Sequence, residues 1–486
     1  MSSLPNAKTS CFHPATRDVL DRLCVSDLDD SQLLPPRPDL LRSCLLRRRS
    51  ALATVLKKAC GGRAVLFRAG TPPSRNYPDN VYEFRASSHF LYFAGLPLCG
   101  AALLLDGEQS TLFVKRPTEA DALWHGEAPS CDALQEATAV SAVRFLDELN
   151  AVFDKLEPIE LPFPSGMLTQ PDAKVSALLD GLISLRLTHD AHAEYELRRA
   201  TMVTVRAHRA GLRATRLDRP VSAIRAAMEY EILARNFTNA YGSIVTTHGE
   251  ILHTLDHSGV VKDRDLVLAD VGAETELGWA ADVTRTWPAS GRFTPSQRTI
   301  YELVLAAQKR AISMVAPGVR YLDIHMATCR VLLDGLRDLG FFLGSLDGLL
   351  ERGAHTLFFP HGVGHLLGLD VHDLEDLGDR AGYAPGRTRS QQFGLCYLRL
   401  DRDLEMGNVV TIEPGIYFVP AILNAERFTG PLGTDFRPEK MAPFADVRGI
   451  RIEDDVLVTA ASHEVLTQQL CKTVPEIEGL MDRTLG

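Results

Sequence analysis

The sequence predicts a mixed α/β (α+β) protein: a smaller N-terminal α/β domain, then a larger domain built of two similar halves. Three observations predict it. Short apolar runs separated by Gly, Pro and Asp alternate with helical stretches up to about residue 186. Beyond that point the order helix, helix, strands occurs twice, with no residue-level repeat underlying it. The length of 486 residues, with 45% apolar and 23% charged side chains, is enough for two or three ordinary cores.

Residues 1–36 are polar and end in a proline cluster, Pro35, Pro36 and Pro38, which marks a lead-in. A helix is expected from Pro38 to Ala59, stopped by Gly61-Gly62. Strands are expected at Ala64–Phe67, Phe90–Phe93, Ala101–Leu105 and Thr111–Val114, and helices at Cys131–Leu156 and Asp172–Leu185. A boundary falls near Arg186–Asp190. Asp190 is placed to cap a long amphipathic helix, Ala191–Thr215, and Pro220 opens the next, which runs to about Asn236. A strand at Gly242–Thr246 leads to a hairpin whose legs are Leu266–Ala269 and Trp279–Ala281. Thr294-Pro295 starts a further helix, and Tyr321–Leu339 makes its partner, with Gly340 after it. Strand-like segments follow at Thr356–Phe359, Leu366–Val371, Val409–Phe418 and Arg451–Thr459.

The net charge of −10 and the absence of any basic stripe beyond Arg47–Arg49 argue against nucleic acid as a partner. Nine scattered cysteines without a C-x-x-C pair fit free thiols in a reducing compartment. The first residues, MSSLPNAKTSCFHPATRD, hold no apolar core of signal-peptide type, and no window reaches the ~18 apolar residues of a membrane span. A cytoplasmic protein without membrane attachment is the expectation.

The chemistry is concentrated in a few stretches. Asp270 and Asp282 end the two legs of the expected hairpin, which sets them side by side. They are either ordinary turn aspartates or carboxylates held together by a proton or cation. The segment 358–373 carries His361, His365 and His372 among glycines that preclude a helix. Glu413 lies inside an apolar, β-branched run, where a carboxylate needs a partner. Arg451 and Glu453 fall on one face of a strand, with Asp454 and Asp455 in a turn beyond it. Asp270, Asp282, His365, Glu413 and Glu453 together make a hard, oxygen-rich donor set. Four carboxylates balance two divalent cations, whereas one cation leaves a buried excess of negative charge. The set suits Mn²⁺, with Zn²⁺, Co²⁺ or Fe²⁺ as alternatives.

The ordered motifs resemble the pita-bread metallopeptidases, and within them aminopeptidase P, with prolidase as close kin. They are Asp270-Val-Gly-Ala-Glu274, Ala281-Asp-Val-Thr-Arg-Thr286, His361 to Asp373, Thr411-Ile-Glu-Pro-Gly-Ile-Tyr417 and Arg451-Ile-Glu-Asp-Asp455. Tyr241-Gly-Ser-Ile-Val245, Ile251-Leu-His253 and, in the N-terminal part, Phe84 to Gly95 also match. The resemblance implies an N-terminal extension (1–36), an aminopeptidase P N-terminal-type domain (37–186), a pita-bread catalytic domain (187–472) and a tail (473–486). It implies that Asp270, Asp282, His365, Glu413 and Glu453 hold two metal ions, with Asp282 and Glu453 bridging them together with a hydroxide. Glu413 is then also the general base. His253, His361 and His372 contact substrate or the tetrahedral intermediate, Val371 and Tyr417 line a proline pocket, and Arg451 sits close behind. The implied activity is release of the N-terminal residue from peptides with proline second; the alternatives are an Xaa-Pro dipeptidase and, from another class, a non-catalytic pita-bread binding protein. A homodimer or homotetramer is implied as well. The polar, Arg/Gly-rich stretch Leu374–Asp403 departs from the family pattern and fits a solvated loop, a substrate lid or an oligomer contact.

Overall fold

The computed structural model describes residues 33–161 and 171–485. Most of the polar lead-in therefore lies outside the described residues. The first ordered element, α1 (Pro38–Ala59), has proline in its first turn and ends before Gly61 and Gly62, both with positive φ. Its Leu41, Leu45, Leu52 and Leu56 are buried. Five strands form the first sheet: β1 (Val65–Arg68), β2 (Ala102–Asp106), β3 (Gln109–Val114), β4 (Ala142–Phe145) and β5 (Ile159–Leu161), in the order β4-β3-β2-β1-β5. The β1–β2 and β2–β3 pairs are antiparallel, and β1–β5 and β3–β4 are parallel.

Two expectations fail in this part. Phe90–Phe93 is not a strand but the middle of α2 (Ser88–Ala94), which Gly95 terminates in the left-handed conformation. Every residue from His89 to Ala94 is buried, so the run shows no period by which helix and strand could be told apart. Cys131–Leu156 is not one helix. It divides into a helix over Cys131–Thr138, strand β4 and a helix over Leu149–Leu156, the first ending at Ala139 with φ 52°.

The larger part repeats one arrangement. A helix pair, Ala191–Ala214 and Val221–Leu233, backs a three-stranded sheet of β7 (Ile244–Thr246), β8 (Leu266–Asp270) and β10 (Thr284–Pro288) in the order β10-β8-β7. A short pair, β6 (Thr238–Asn239) with β9 (Ala273–Glu274), lies beside it. Asp190 caps the first helix by accepting from the amides of His192 and Ala193. A second helix pair, Pro295–Met314 and Tyr321–Asp338, goes with β11 (Val409–Ile412), β14 (Asp454–Val458) and β15 (His463–Val465) in the order β11-β14-β15. Thr294 and Gln297 form a reciprocal capping box on that pair's first helix. A small two-stranded sheet joins β12 (Gly415–Tyr417) to β13 (Gly449–Arg451). One apolar core, containing Trp287, Tyr301, Tyr321, Phe341 and Phe358, runs through both halves.

The strands near the site differ from expectation. The partner of Leu266–Asp270 is Thr284–Pro288, not Trp279–Ala281; Asp270 faces Thr284. Residues 271–283 instead fold back through β9 and an isolated bridge between Glu274 and Ala280. Thr356–Phe359 is not a strand, because Ala354–Leu357 forms a 3₁₀ turn. Leu366–Val371 is a loop with a single bridge from Leu366 to Val410. Val409–Phe418 breaks after Ile412, and Arg451–Thr459 breaks after Arg451. Arg451 and Glu453 therefore do not share one strand. Asp454 and Asp455 are not turn residues but fully buried positions of β14.

Candidate metal centre

The two halves meet around a cavity of about 460 Å³, lined among others by His253, Asp270, Asp282, His361, His365, His372, Glu413, Arg451 and Glu453. The first half supplies two carboxylates. Asp270 ends β8, and Asp282 sits two residues before β10. The Tyr241 hydroxyl lies 2.6 Å from Oδ1 of each, one donor shared by two acceptors. The Asp282 amide donates to the Asp455 carboxylate at 3.3 Å, fixing the backbone that aims Asp282. Gly272 passes so close to Ala281 that an added Cβ would meet the Ala281 carbonyl oxygen at 1.8 Å; this close crossing lets the two ends of the loop come together.

The second half supplies Glu413, Glu453 and His365, each at an irregular point. Glu413 and Pro414 fill the gap between β11 and β12, and Ile452 and Glu453 the gap between β13 and β14. At those gaps the chain leaves one sheet for the other, because β11 pairs with β14 and β12 with β13. Thr284 donates to Glu453 at 2.7 Å. The Glu413 amide donates to the Val363 carbonyl at 2.8 Å. The His365 amide donates to Thr411 Oγ1 at 3.0 Å, and the Thr411 amide donates back to the His365 carbonyl. Nδ1 of His365 lies 2.9 Å from the Leu366 carbonyl, so this nitrogen carries the proton and Nε2 keeps its lone pair. Nε2 is 3.3 Å from Asp282 and 3.6 Å from Glu413.

Donor atoms within 4.8 Å of one another fall into overlapping groups: Asp270, Asp282 and Glu453; His365, Glu413 and Glu453; Asp282, His365 and His372. All five expected ligands thus lie together, and Glu453 belongs to two groups. Burial, reinforced by the neighbouring carboxylates, raises the pKa of Glu413 to about 8 and that of Glu453 well above the ordinary range. Burial also raises Asp270 and Asp282. Burial pulls His365 down to about 4, leaving a neutral imidazole. Four crowded carboxylates and one neutral imidazole fit divalent cations by charge and by hardness. Arg451 adds a positive charge that the sequence-level count leaves out. It donates to Asp270 at 2.6 Å, to Thr284 at 2.9 Å and to the Tyr417 hydroxyl at 3.1 Å.

The remaining expected residues divide. His253 lines the cavity at its exposed rim, its pKa lowered by desolvation and then by Arg451. His361 lines it too, with Nδ1 against the Gly362 carbonyl at 2.8 Å and Nε2 against the Tyr417 hydroxyl at 2.9 Å. Burial holds it neutral, its pKa about 3. His372 stands 4.1 Å from His365, ring to ring, and its Nδ1 meets Glu375 at 2.7 Å. Val371 does not line the cavity; it packs against the N-terminal core. Tyr417 is fully buried behind His361 and Arg451 and does not line the cavity either.

Sequence reasoning gave no role to Tyr241, Thr284, Thr411, Glu375 or Asp455. Tyr241 and Thr284 lie inside matched motifs, which was their only signal. Glu375 opens the Leu374–Asp403 stretch, which is not merely a solvated loop: it brings Phe393, Tyr397 and Arg399 to the cavity wall. Leu252, Ala421, Ile422, Arg427 and Phe428 complete that wall.

A two-halved fold enclosing a carboxylate-rich, histidine-bearing centre defines a candidate metal-binding protein. Residues 195–460 match the profile of metallopeptidase family M24, and residues 46–158 that of the aminopeptidase P N-terminal domain. The human Xaa-Pro dipeptidase is 31% identical over 447 residues, covering 86% of this chain and 89% of that protein. The Xaa-Pro aminopeptidase of Escherichia coli is 29% identical, covering 91% and 98%. The structure of the Pseudomonas aeruginosa aminopeptidase PepP superposes with a TM-score of 0.75 at 29% identity, covering 93% of this chain and 99% of that one. The chain belongs to metallopeptidase family M24, in its pita-bread, aminopeptidase P-type branch, and is a peptide-bond hydrolase. Family membership implies divalent metal ions, and the donor set is of the kind they need. The non-catalytic binding protein is set aside.

Proposed function

We propose that the protein is an Xaa-Pro aminopeptidase, releasing the N-terminal residue from peptides with proline in second position. The observation that carries this is the convergence of five donor residues from both halves on one cavity wall that also has apolar surface. Asp270, Asp282, His365, Glu413 and Glu453 would hold two divalent ions. Mn²⁺ suits the oxygen-rich donors best; Zn²⁺, Co²⁺ and Fe²⁺ are the alternatives. When bound, the ions supply an activated water and Lewis-acid polarisation of the scissile carbonyl.

The chain's own residues do the rest. Glu413 accepts a proton on its carboxylate and delivers it to the proline nitrogen as the C–N bond breaks. His253, His361 and His372 reach the substrate's polar atoms from the cavity wall. Arg451 keeps Asp270 in place through its 2.6 Å contact. The bond before proline is a tertiary amide without N–H, so recognition rests on ring packing and on the carbonyl. Leu252, Phe393, Ile422 and Phe428 offer the apolar surface for that ring. Incubating Mn²⁺-loaded protein with Arg-Pro-Pro and with Gly-Pro tests the reading. Cleavage of the tripeptide is expected; cleavage of neither peptide would sink it.

A second reading, an Xaa-Pro dipeptidase, is favoured by one feature. Arg399 and Arg427 line the cavity, and two guanidinium groups there suit the free carboxylate of a two-residue substrate. Under this reading Arg399→Ala raises KM for Gly-Pro about tenfold or more, the scale of one charged contact, and leaves KM for longer peptides nearly unchanged. Equal effects on both substrates would remove it.

We further infer a division of the chain near residue 187, with the catalytic domain running to about residue 472. A homodimer or homotetramer through the N-terminal domain fits the exposed Leu123 and Trp124 on its helix Glu119–His125. Cytoplasmic residence fits the seven described cysteines, all free. Among the described residues no helix is long and apolar enough to cross a membrane.

A further inference from the structure

Behind the wall that carries His361 lies a second cluster of metal-binding side chains which the peptidase chemistry does not use. His325 and Cys329 stand four residues apart on one face of the helix Tyr321–Asp338. His355 faces them from the 3₁₀ turn Ala354–Leu357, its ring 6.4 Å from that of His325. All three are buried, at 1%, 0% and 1% exposure. Nε2 of His325 is 3.4 Å from the Cys329 sulfur. One donor atom from each residue falls within 4.8 Å of the others. Among the described residues, three ring nitrogens of this cluster find no hydrogen-bond partner: Nδ1 of His325 and both nitrogens of His355. A buried imidazole with neither nitrogen satisfied calls for a partner such as a water or an ion; His192 shares the feature, but among the described residues only here do such nitrogens face a thiol and a second imidazole. The catalytic-site histidines differ in this respect, since His361 and His365 each anchor Nδ1 on a carbonyl.

We propose that His325, Cys329 and His355 form a second metal site, separate from the carboxylate centre, for a thiophilic cation, Zn²⁺ or Cu⁺. Its donors are the reverse of the first site's: one sulfur and two imidazoles, with no carboxylate in the group. Such a set selects borderline or soft ions and disfavours Mn²⁺ and Mg²⁺. Both histidines are held neutral by burial and so keep free lone pairs. Burial makes the Cys329 thiol hard to ionise, and a coordinated ion removes that obstacle by displacing the thiol proton to solvent. The charge balance favours Cu⁺, which one thiolate neutralises, over Zn²⁺, which keeps one positive charge in an apolar surrounding. The site joins the helix Tyr321–Asp338 to the turn leading into His361. Phe359 lies 5.6 Å from His325 and 4.8 Å from His361, ring to ring. An ion here stabilises that wall, because it binds the folded chain only.

Full-length protein produced in the presence of Zn²⁺, and separately loaded with Cu⁺ under anaerobic conditions, is treated with a chelator until peptidase activity is lost, then analysed for metal. One ion per chain is expected to survive this treatment and to be absent from Cys329→Ser and His355→Gln. Survival of copper, of zinc or of both identifies the ion. Co²⁺ loading is expected to give a near-ultraviolet sulfur-to-cobalt band in the native chain, lost in Cys329→Ser and weakened in His355→Gln; a carboxylate and imidazole centre has no sulfur to give it. Should Cys329→Ser fail to fold, the native band and His355→Gln decide. The proposal is overturned if neither metal survives and no band forms, as expected where water alone bridges the three side chains. It is equally overturned if the ion and the band persist unchanged in the folded variants.

Discussion

Tyr241 shows how much of the centre rests on one hydroxyl. It touches Asp270 and Asp282 together, so losing it frees two proposed ligands at once. Tyr241→Phe keeps the ring and the packing. It is expected to weaken divalent-metal affinity about 10–100-fold, the usual cost of losing a group that orients ligands. Competition with a fluorescent chelator measures this, and unchanged affinity would refute it. Glu413 carries a prediction about pH. In the metal-free protein its pKa is about 8, against an ordinary 4.5. A raised carboxyl favours folding in its protonated form, so its contribution is full below about 4.5 and is lost as pH rises through 8. Asp270, Asp282 and Glu453 are raised as well and act in the same direction. Buried histidines such as His325, His355, His361 and His365, lowered from an ordinary 6.5, act the other way below that pH, so chelator-treated protein is expected to melt at progressively lower temperature between about pH 7 and pH 8, and Mn²⁺ to reverse the trend. A melting temperature that climbs over that interval in the chelated protein would contradict this.

At the scale of elements, the ligands sit where regular structure stops. Glu413 and Glu453 occupy gaps where a strand leaves one sheet for another, and His365 follows Gly364 in a loop. A Cβ on Gly364 would meet the Thr411 carbonyl oxygen at 2.1 Å and the Tyr321 hydroxyl at 2.4 Å. Gly364→Ala must displace the His365 backbone, and about a 100-fold loss in kcat/KM is expected, the usual effect of an ångström-scale misplacement. Steady-state kinetics on a folded variant checks it. These interruptions also explain what could be read in advance. Helices with a polar cap and a repeating apolar face, such as Ala191–Ala214 and Pro295–Met314, were legible because cap and period agree locally. The candidate ligands were legible as residue types at odds with apolar neighbours. The sheet exchange at Glu413 was signalled only by Pro414-Gly415, a turn pair outweighed by the apolar residues on either side. The pairing of Asp270 with Thr284 was not legible either, because both candidate return legs carry apolar residues. Asp454 and Asp455 misled for the opposite reason. Two adjacent aspartates suggest a turn, but Arg285, Lys472 and Thr467 satisfy Asp454 in the core, as the Asp282 amide does Asp455.

Across the whole molecule, arginines near the N-terminal sheet hold the catalytic loops. Arg85 donates to Glu274 at 2.8 Å and also reaches the Leu369 carbonyl and Asp370. Arg186, in the helix Ala173–Leu187, pairs with Asp373 at 2.6 Å, both side chains almost fully buried. Asp373 directly follows His372. Arg186→Ala leaves that carboxylate buried without its cation, and a loss of about 3 kcal/mol in stability is expected. Urea unfolding followed by circular dichroism measures it, and a midpoint equal to that of the native chain would show the pair to be dispensable.

The placement of the five donors has one more consequence. Asp270 and Asp282 come from one half of the catalytic domain, and His365, Glu413 and Glu453 from the other. Neither half carries all five donors, so under the proposed assignment capture of both ions works as a coincidence detector, complete only when both halves are docked. Under that assignment metal binding and correct docking of the two halves are linked: a chain whose halves have come apart is expected to lose the ions, and added ions to favour the docked form.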